Sequence, residues 1–232
     1  LASETLTYSG VDLTMKSIEQ LDIHGHANRP LGNRFFRQSE NAQSVALVFP
    51  GLAYNSDMPL LYYSIKTMIA SGINVLSLDY DYSNNSEFMA QSMRERSEWL
   101  IDDVEAAFKF MSEYEDQKIV CMTGKSIGTL ALGHLLETHE DIRDTKTIWL
   151  TPLIKNPELL EQMLTYMKDA VLVVGTKDPQ YDRDIIDRLN ASTQTSGIVI
   201  DGANHSLEIE GNVTDSLRVL TQIVAIIRQF LS

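Results

Sequence analysis

Six short, nearly continuous apolar runs constrain this chain more than any other feature. They cover residues 45–49, 73–79, 118–123, 147–150, 170–175 and 197–200. Runs rich in Val, Ile and Leu, without polar alternation, suit strands buried on both faces; a strand with one wet face would alternate. Segments with helical spacing lie between and after them, at 58–70, 87–114, 126–138, 157–167, 182–189 and 213–231. Strands alternating with helices predict an α/β fold, with a mostly parallel central sheet and helices on both faces. The chain has 232 residues and no internal repeat, low-complexity tract or linker-like stretch, so a single domain over 1–232 is expected. Residues 5–8, 13–18 and 21–24 read as short antiparallel strands ahead of the parallel core. About 19 residues separate the runs ending at 150 and starting at 170. That is room for one helix and its loops, so a lid inserted there is small or absent.

Bulk chemistry narrows the partners. A formal net charge of -13 repels phosphate backbones, which argues against nucleic acid. No apolar run is long enough to span a bilayer, and no membrane partner is expected. The lone cysteine, Cys121, excludes an intrachain disulfide and fits a reducing compartment. Without a basic and apolar leader pattern at the N-terminus, the expected location is cytoplasmic. A leader removed before Leu1 stays open, as does the oligomeric state. His24 and His26 lack the further ligands a zinc site needs, so neither metal nor cofactor is expected.

The run at 118–123 leads into Gly124-Lys125-Ser126-Ile127-Gly128, where a helical pattern begins. A chain that passes from strand to helix within so few residues must turn sharply. The central serine of G-x-S-x-G is then held in a strained conformation with its hydroxyl pushed outward. Glycine is wanted two residues before and after, where a Cβ would collide. The serine also opens a helix, whose free N–H groups favour negative charge, and the Ile127 N–H would face a developing oxyanion. Lys125 reads as a surface residue. Gly124-Lys125-Ser126 also matches the end of a phosphate-binding loop, but that loop needs a glycine at 119. Ile119 stands there, inside the apolar run.

Two more groups fall at strand ends. Asp178 follows the run at 170–175 and precedes Pro179; the carboxyl ends of parallel strands are where ligand sites of such sheets lie. Asp182 and Asp184 are alternative acids further on. Of the five histidines, His205 alone follows a core strand, after the turn at Asp201-Gly202. His24, His26, His134 and His139 read as surface or packing residues.

With these residues in place, the chain from about Ala42 to its end resembles the α/β-hydrolase superfamily. The resemblance implies the order nucleophile, acid, histidine, matched by Ser126, Asp178 and His205. It also implies a second oxyanion donor in the loop after an early strand, here Pro50-Gly51-Leu52, with the Leu52 N–H as candidate. Pro50 stands where many relatives have histidine, which is not a member of their triad. The implied activity is that of a serine hydrolase cleaving an ester or thioester of a small molecule through an acyl-enzyme. A peptidase or acyltransferase using the same residues, or an idle binding protein of this fold, stays open. Leu52, Tyr54, Asn55, Thr151, Leu153 and Tyr181 follow strand ends and are expected to line the substrate site. With little room for a lid, short acyl chains are the expected substrates.

Overall fold

The computed structural model describes residues 16–39, 41–192 and 196–232. The predicted strand at 5–8 and the start of that at 13–18 lie outside them. Two short strands, β1 (Ser17–Glu19) and β2 (Asn33–Arg37), pair antiparallel to each other, and β2 runs antiparallel to β4. Six parallel strands follow: β3 (Ser44–Phe49), β4 (Asn74–Leu78), β5 (Lys118–Lys125), β6 (Lys146–Leu150), β7 (Ala170–Gly175) and β8 (Ser196–Ile200). The eight strands form one sheet in the order β1-β2-β4-β3-β5-β6-β7-β8. The helices are α1 (Pro59–Ala70), α2 (Ser86–Ala90), α3 (Met93–Glu113), α4 (Gly128–Thr138), α5 (Pro157–Tyr166), α6 (Arg183–Ser192) and α7 (Val213–Leu231).

Both faces of the sheet are covered, which is why its central strands carry no polar alternation. Leu47, Phe49, Met122, Trp149 and Leu172 pack toward α3, α4, α5 and α6. Their neighbours Ala46, Val48, Cys121, Ile148 and Val173 pack toward α1 and α7. Residues of opposite parity on one strand thus feed two separate cores. The β6–β7 connection holds only α5 and its loops, with no inserted lid. No described helix is long and apolar enough to cross a membrane.

Two sequence expectations need correction. Residues 21–24 form no strand beyond an isolated bridge between His24 and Pro30. Leu21 and Ile23 are buried, and the Asn33 side chain satisfies the backbone there. Its Oδ1 accepts from Leu21 N–H at 2.9 Å, and its amide donates to the Leu21 and Leu31 carbonyls. The antiparallel partner is instead β2. The segment 87–114 is also two helices. Ser92 caps α3 in a reciprocal capping box with Glu95, and this restart separates α3 from the short α2. The break places α2 and the first turn of α3 beside the serine turn.

Candidate active site

Strand β5 ends at Lys125 and α4 begins at Gly128, leaving two residues for the turn. Ser126 takes φ 55°, a left-handed conformation that costs an L-residue about 1–2 kcal/mol. Its N–H donates to the Leu150 carbonyl at 3.1 Å, and its own carbonyl accepts from the Thr129 N–H and hydroxyl. The glycine requirement is met in detail. A Cβ on Gly124 would lie 2.5 Å from the Gly128 oxygen, and one on Gly128 would lie 2.0 Å from the Phe49 oxygen. Both obstacles are backbone and cannot swing aside.

Ser126 Oγ lies 2.8 Å from His205 Nε2, and His205 Nδ1 lies 2.8 Å from Asp178 Oδ2. The three residues the sequence separates by up to 79 positions meet at the carboxyl edge of the sheet. The Asp178 side chain is fully buried, and its other oxygen accepts from the Gln180 N–H at 2.8 Å. An acceptor-only carboxylate so placed fixes the imidazole with its proton on Nδ1 and leaves Nε2 basic toward Ser126. The loops that carry Asp178 and His205 are tied together. A Cβ on Gly175 would lie 2.1 Å from the Ala203 oxygen, and that oxygen accepts from the Lys177 N–H. Asn204 Oδ1 accepts from the Ser206 and Glu208 N–H groups, which folds the His205 loop back on itself. The alternative acids are elsewhere: Asp182 caps α6 through its Oδ1, and Asp184 is exposed.

The loop after β3 abuts the serine. A Cβ on Gly51 would sit 3.4 Å from Ser126 Cβ, and the Pro50 carbonyl is held by the Tyr80 hydroxyl at 2.7 Å. Among the described residues, neither the Leu52 nor the Ile127 N–H donates to a protein acceptor. Leu52 and Ile127 also line a small, mostly apolar and partly open cavity of about 70 Å³, together with Phe88, Met93, Arg96, Ser97, Leu100 and Leu130. The residues from α2 and α3 were not anticipated from sequence. The signal was present, since Ser92-x-x-Glu95 reads as a helix start.

The remaining expectations divide. Asn55 lines a polar cavity of about 440 Å³ with Leu52, Arg34 and Asp79. Leu153 and Tyr181 are half-buried against the core and do not line the small cavity. Tyr54 is 7% exposed, its hydroxyl accepts from the Leu60 N–H at 3.1 Å, and its edges border two larger cavities rather than the small one. Thr151 is fully buried with φ 45°, so it does not line the site. Lys125 is not a surface residue. It is 1% exposed, and its Nζ donates to the His205 carbonyl at 2.9 Å. Burial pushes its ammonium down to about 8, against the pull of the Asp178 charge. The other four histidines pair with carboxylates elsewhere: His24 with Asp22, His26 with Asp102, and both His134 and His139 with Glu105.

A family model described as an alpha/beta hydrolase domain matches residues 50–232. The chain belongs to the alpha/beta hydrolase family. No curated protein matches its sequence. Solved structures of similar fold are numerous. An esterase from Pyrococcus furiosus is 16% identical, with 95% of each chain covered and a TM-score of 0.69. A Butyrivibrio proteoclasticus protein with ferulic acid bound is 14% identical, over 87% of this chain and 94% of its own, at a TM-score of 0.69. A serine hydrolase without a lid from Xanthomonas campestris is 14% identical, over 95% of this chain and 96% of its own, at 0.66. At these identities the likeness is one of fold, and it includes the Xanthomonas protein, described as lacking a lid.

Proposed function

We propose that this alpha/beta hydrolase is a serine carboxylesterase-like enzyme that cleaves short-chain esters or thioesters of small molecules through an acyl-enzyme. The observation that carries the reading is the continuous Asp178–His205–Ser126 hydrogen-bond chain, 2.8 Å at each step, ending on a serine held at positive φ.

In this reading Ser126 Oγ attacks the carbonyl carbon as His205 Nε2 takes its proton. Asp178 holds the imidazole in the productive tautomer and stabilises the imidazolium. The carbonyl π electrons move onto oxygen, and the Leu52 and Ile127 N–H groups receive that charge. Each such donor is worth about 3 kcal/mol in the transition state. The tetrahedral intermediate collapses with loss of the alcohol or thiol, which leaves with the proton from His205. Water, deprotonated by His205, then attacks the acyl-enzyme, and Ser126 departs with that proton.

The acyl group enters the small cavity that the two donor residues help to line. Leu52, Phe88, Leu100, Ile127 and Leu130 make it apolar, and about 70 Å³ admits only a few carbons. The leaving group faces solvent, because no lid follows β6. The test is an ester series of rising acyl length with wild type and Ser126→Ala, alongside labelling by a fluorophosphonate. Acetyl to butyryl esters are expected to turn over fastest, with turnover and labelling both lost in S126A. Turnover that peaks at long chains would refute the acyl assignment. An S126A protein as active as wild type would refute the nucleophile.

A further inference from the structure

Lys125 is a cation with no part in the steps above, yet it is among the most deeply buried side chains of the described chain. It is the last residue of β5, and residue parity places it with Cys121 and Thr123 on the sheet face covered by α1 and α7. Its ammonium lies directly below the His205 loop. The Nζ donates to the His205 carbonyl at 2.9 Å and sits 5.0 Å from the centroid of the Tyr54 ring. Tyr54 is itself held, since its hydroxyl accepts from the first turn of α1. A charged side chain is almost never buried this far without a reason that outweighs its lost hydration. Here the partners are the carbonyl of one reacting residue, an aromatic face and the nearby charge of Asp178.

We propose that Lys125 is a positioning residue: its buried ammonium, seated on the Tyr54 ring, holds the His205 backbone so that the imidazole spans Ser126 and Asp178. The role rests on the serine-hydrolase reading and extends it below the reacting atoms. The charged and titratable groups around the ammonium come from three loops. They are Asp178 after β7, His205 after β8, and Tyr54 after β3, with Glu208 acting on Tyr54 from further along the His205 loop. A charge-assisted hydrogen bond is roughly twice as strong as a neutral one, so the hold on His205 weakens when the ammonium loses its proton. That loss falls near pH 8, within an ordinary assay range.

The experiment compares wild type with Lys125→Met, which fills the site and cannot donate, and with Lys125→Gln, which keeps a neutral donor. Each is assayed on a short-chain ester from pH 6 to 9.5. A fluorophosphonate titration counts reactive serines, and circular dichroism checks the fold. In K125M, kcat is expected to fall on the order of 100-fold with KM nearly unchanged, as for a reacting group displaced by about an ångström. Wild-type kcat is expected to decline above pH 8, and that decline is expected to be absent in both variants. K125Q should recover part of the lost kcat. Wild-type kcat in K125M, or an unchanged alkaline decline in folded K125M or K125Q, would overturn the role of Lys125 alone. Wild type that neither turns over esters nor labels would instead overturn the hydrolase reading beneath it.

Discussion

A buried ammonium also leaves a thermodynamic trace, and its sign is fixed. Burial takes Lys125 from an ordinary 10.5 to about 8 in the folded protein. Between those values the unfolded chain holds more protons at this position than the native one. Stability therefore rises with pH across that window, and the penalty is greatest below pH 8. At about 1.4 kcal/mol per pH unit, the fall from 10.5 to about 8 amounts to about 3 kcal/mol of destabilisation at neutral pH. Roughly 2 kcal/mol of that is regained by pH 9.5. Lys125→Met removes the penalty but leaves the His205 carbonyl without its donor, which costs about 1 kcal/mol. K125M is thus expected to be more stable than wild type by about 2 kcal/mol at pH 7, or about 4–8 °C in Tm for a chain of this size. The advantage should shrink to near zero at pH 9.5. The assay is urea unfolding of both proteins at several pH values, followed by circular dichroism, reading the difference between them. Taking the difference matters because Cys121, raised by burial to about 12, pulls the other way in both proteins above pH 9. A wild-type minus K125M difference that stays flat from pH 7 to 9.5 would refute the argument. So would a K125M protein less stable at pH 7.

Four other outcomes follow from the same geometry. Asp178→Asn is expected to lower kcat by about 10⁴-fold through the wrong imidazole tautomer, while Asp182→Asn and Asp184→Asn stay near wild type in ester turnover. Gly128→Ala drives a Cβ to 2.0 Å from the Phe49 oxygen, and chemical denaturation should show a loss of roughly 3 kcal/mol or more. Ser126→Gly relieves the positive φ that Ser126→Ala retains, so the glycine variant should be the more stable of two inactive proteins by about 1 kcal/mol. Met93 is 75% exposed at the edge of the small cavity, so Met93→Ala should leave Tm unchanged. The same change should raise the hexanoyl-to-acetyl ratio of kcat/KM roughly tenfold.

The parallel core was legible because burial on both faces writes itself locally into each strand. The run at 170–175 coincides with β7, and that at 45–49 misses only Ser44 of β3. The candidate site was legible for a related reason: Ser126, Asp178 and His205 each follow such a strand, and the sheet brings strand ends together. What failed depended on distant partners. Strand β2 carries two arginines among its five residues, which hides its buried Phe35 and Phe36. Arg34 is neutralised by Asp57 and Asp79, and Arg37 by Glu19 and Glu115, none of them readable from the strand itself. Lys125 failed in the same way, because its acceptor is 80 residues along the chain. The break before α3 is of another kind. Helical periodicity across 87–114 outweighed a capping signal at Ser92 that the structure obeys.

Several features that cost this fold stability lie close together at the candidate site, although other left-handed residues, such as Ala27 and Glu115, stand elsewhere. Ser126 at φ 55° and Thr151 at φ 45° directly follow adjacent strands, with the buried Lys125 just before Ser126 and the buried Asp178 in the loop after β7. A β-branched residue such as Thr151 in the left-handed region is rarer than a strained serine, and its buried hydroxyl has no partner among the described residues. Scattered at random, such defects would each relax by a small backbone movement. Here the two strained residues are each held by a neighbouring strand: the Ser126 N–H by the Leu150 carbonyl of β6, and the Thr151 N–H by the Val173 carbonyl of β7. Relaxing one would therefore shift a central strand that two cores grip from opposite faces. That coupling explains how a single ångström-scale geometry can persist across loops from four different strands. It also requires that variants stabilised at residues 125, 126 or 151 lose more turnover than variants equally stabilised elsewhere on the sheet.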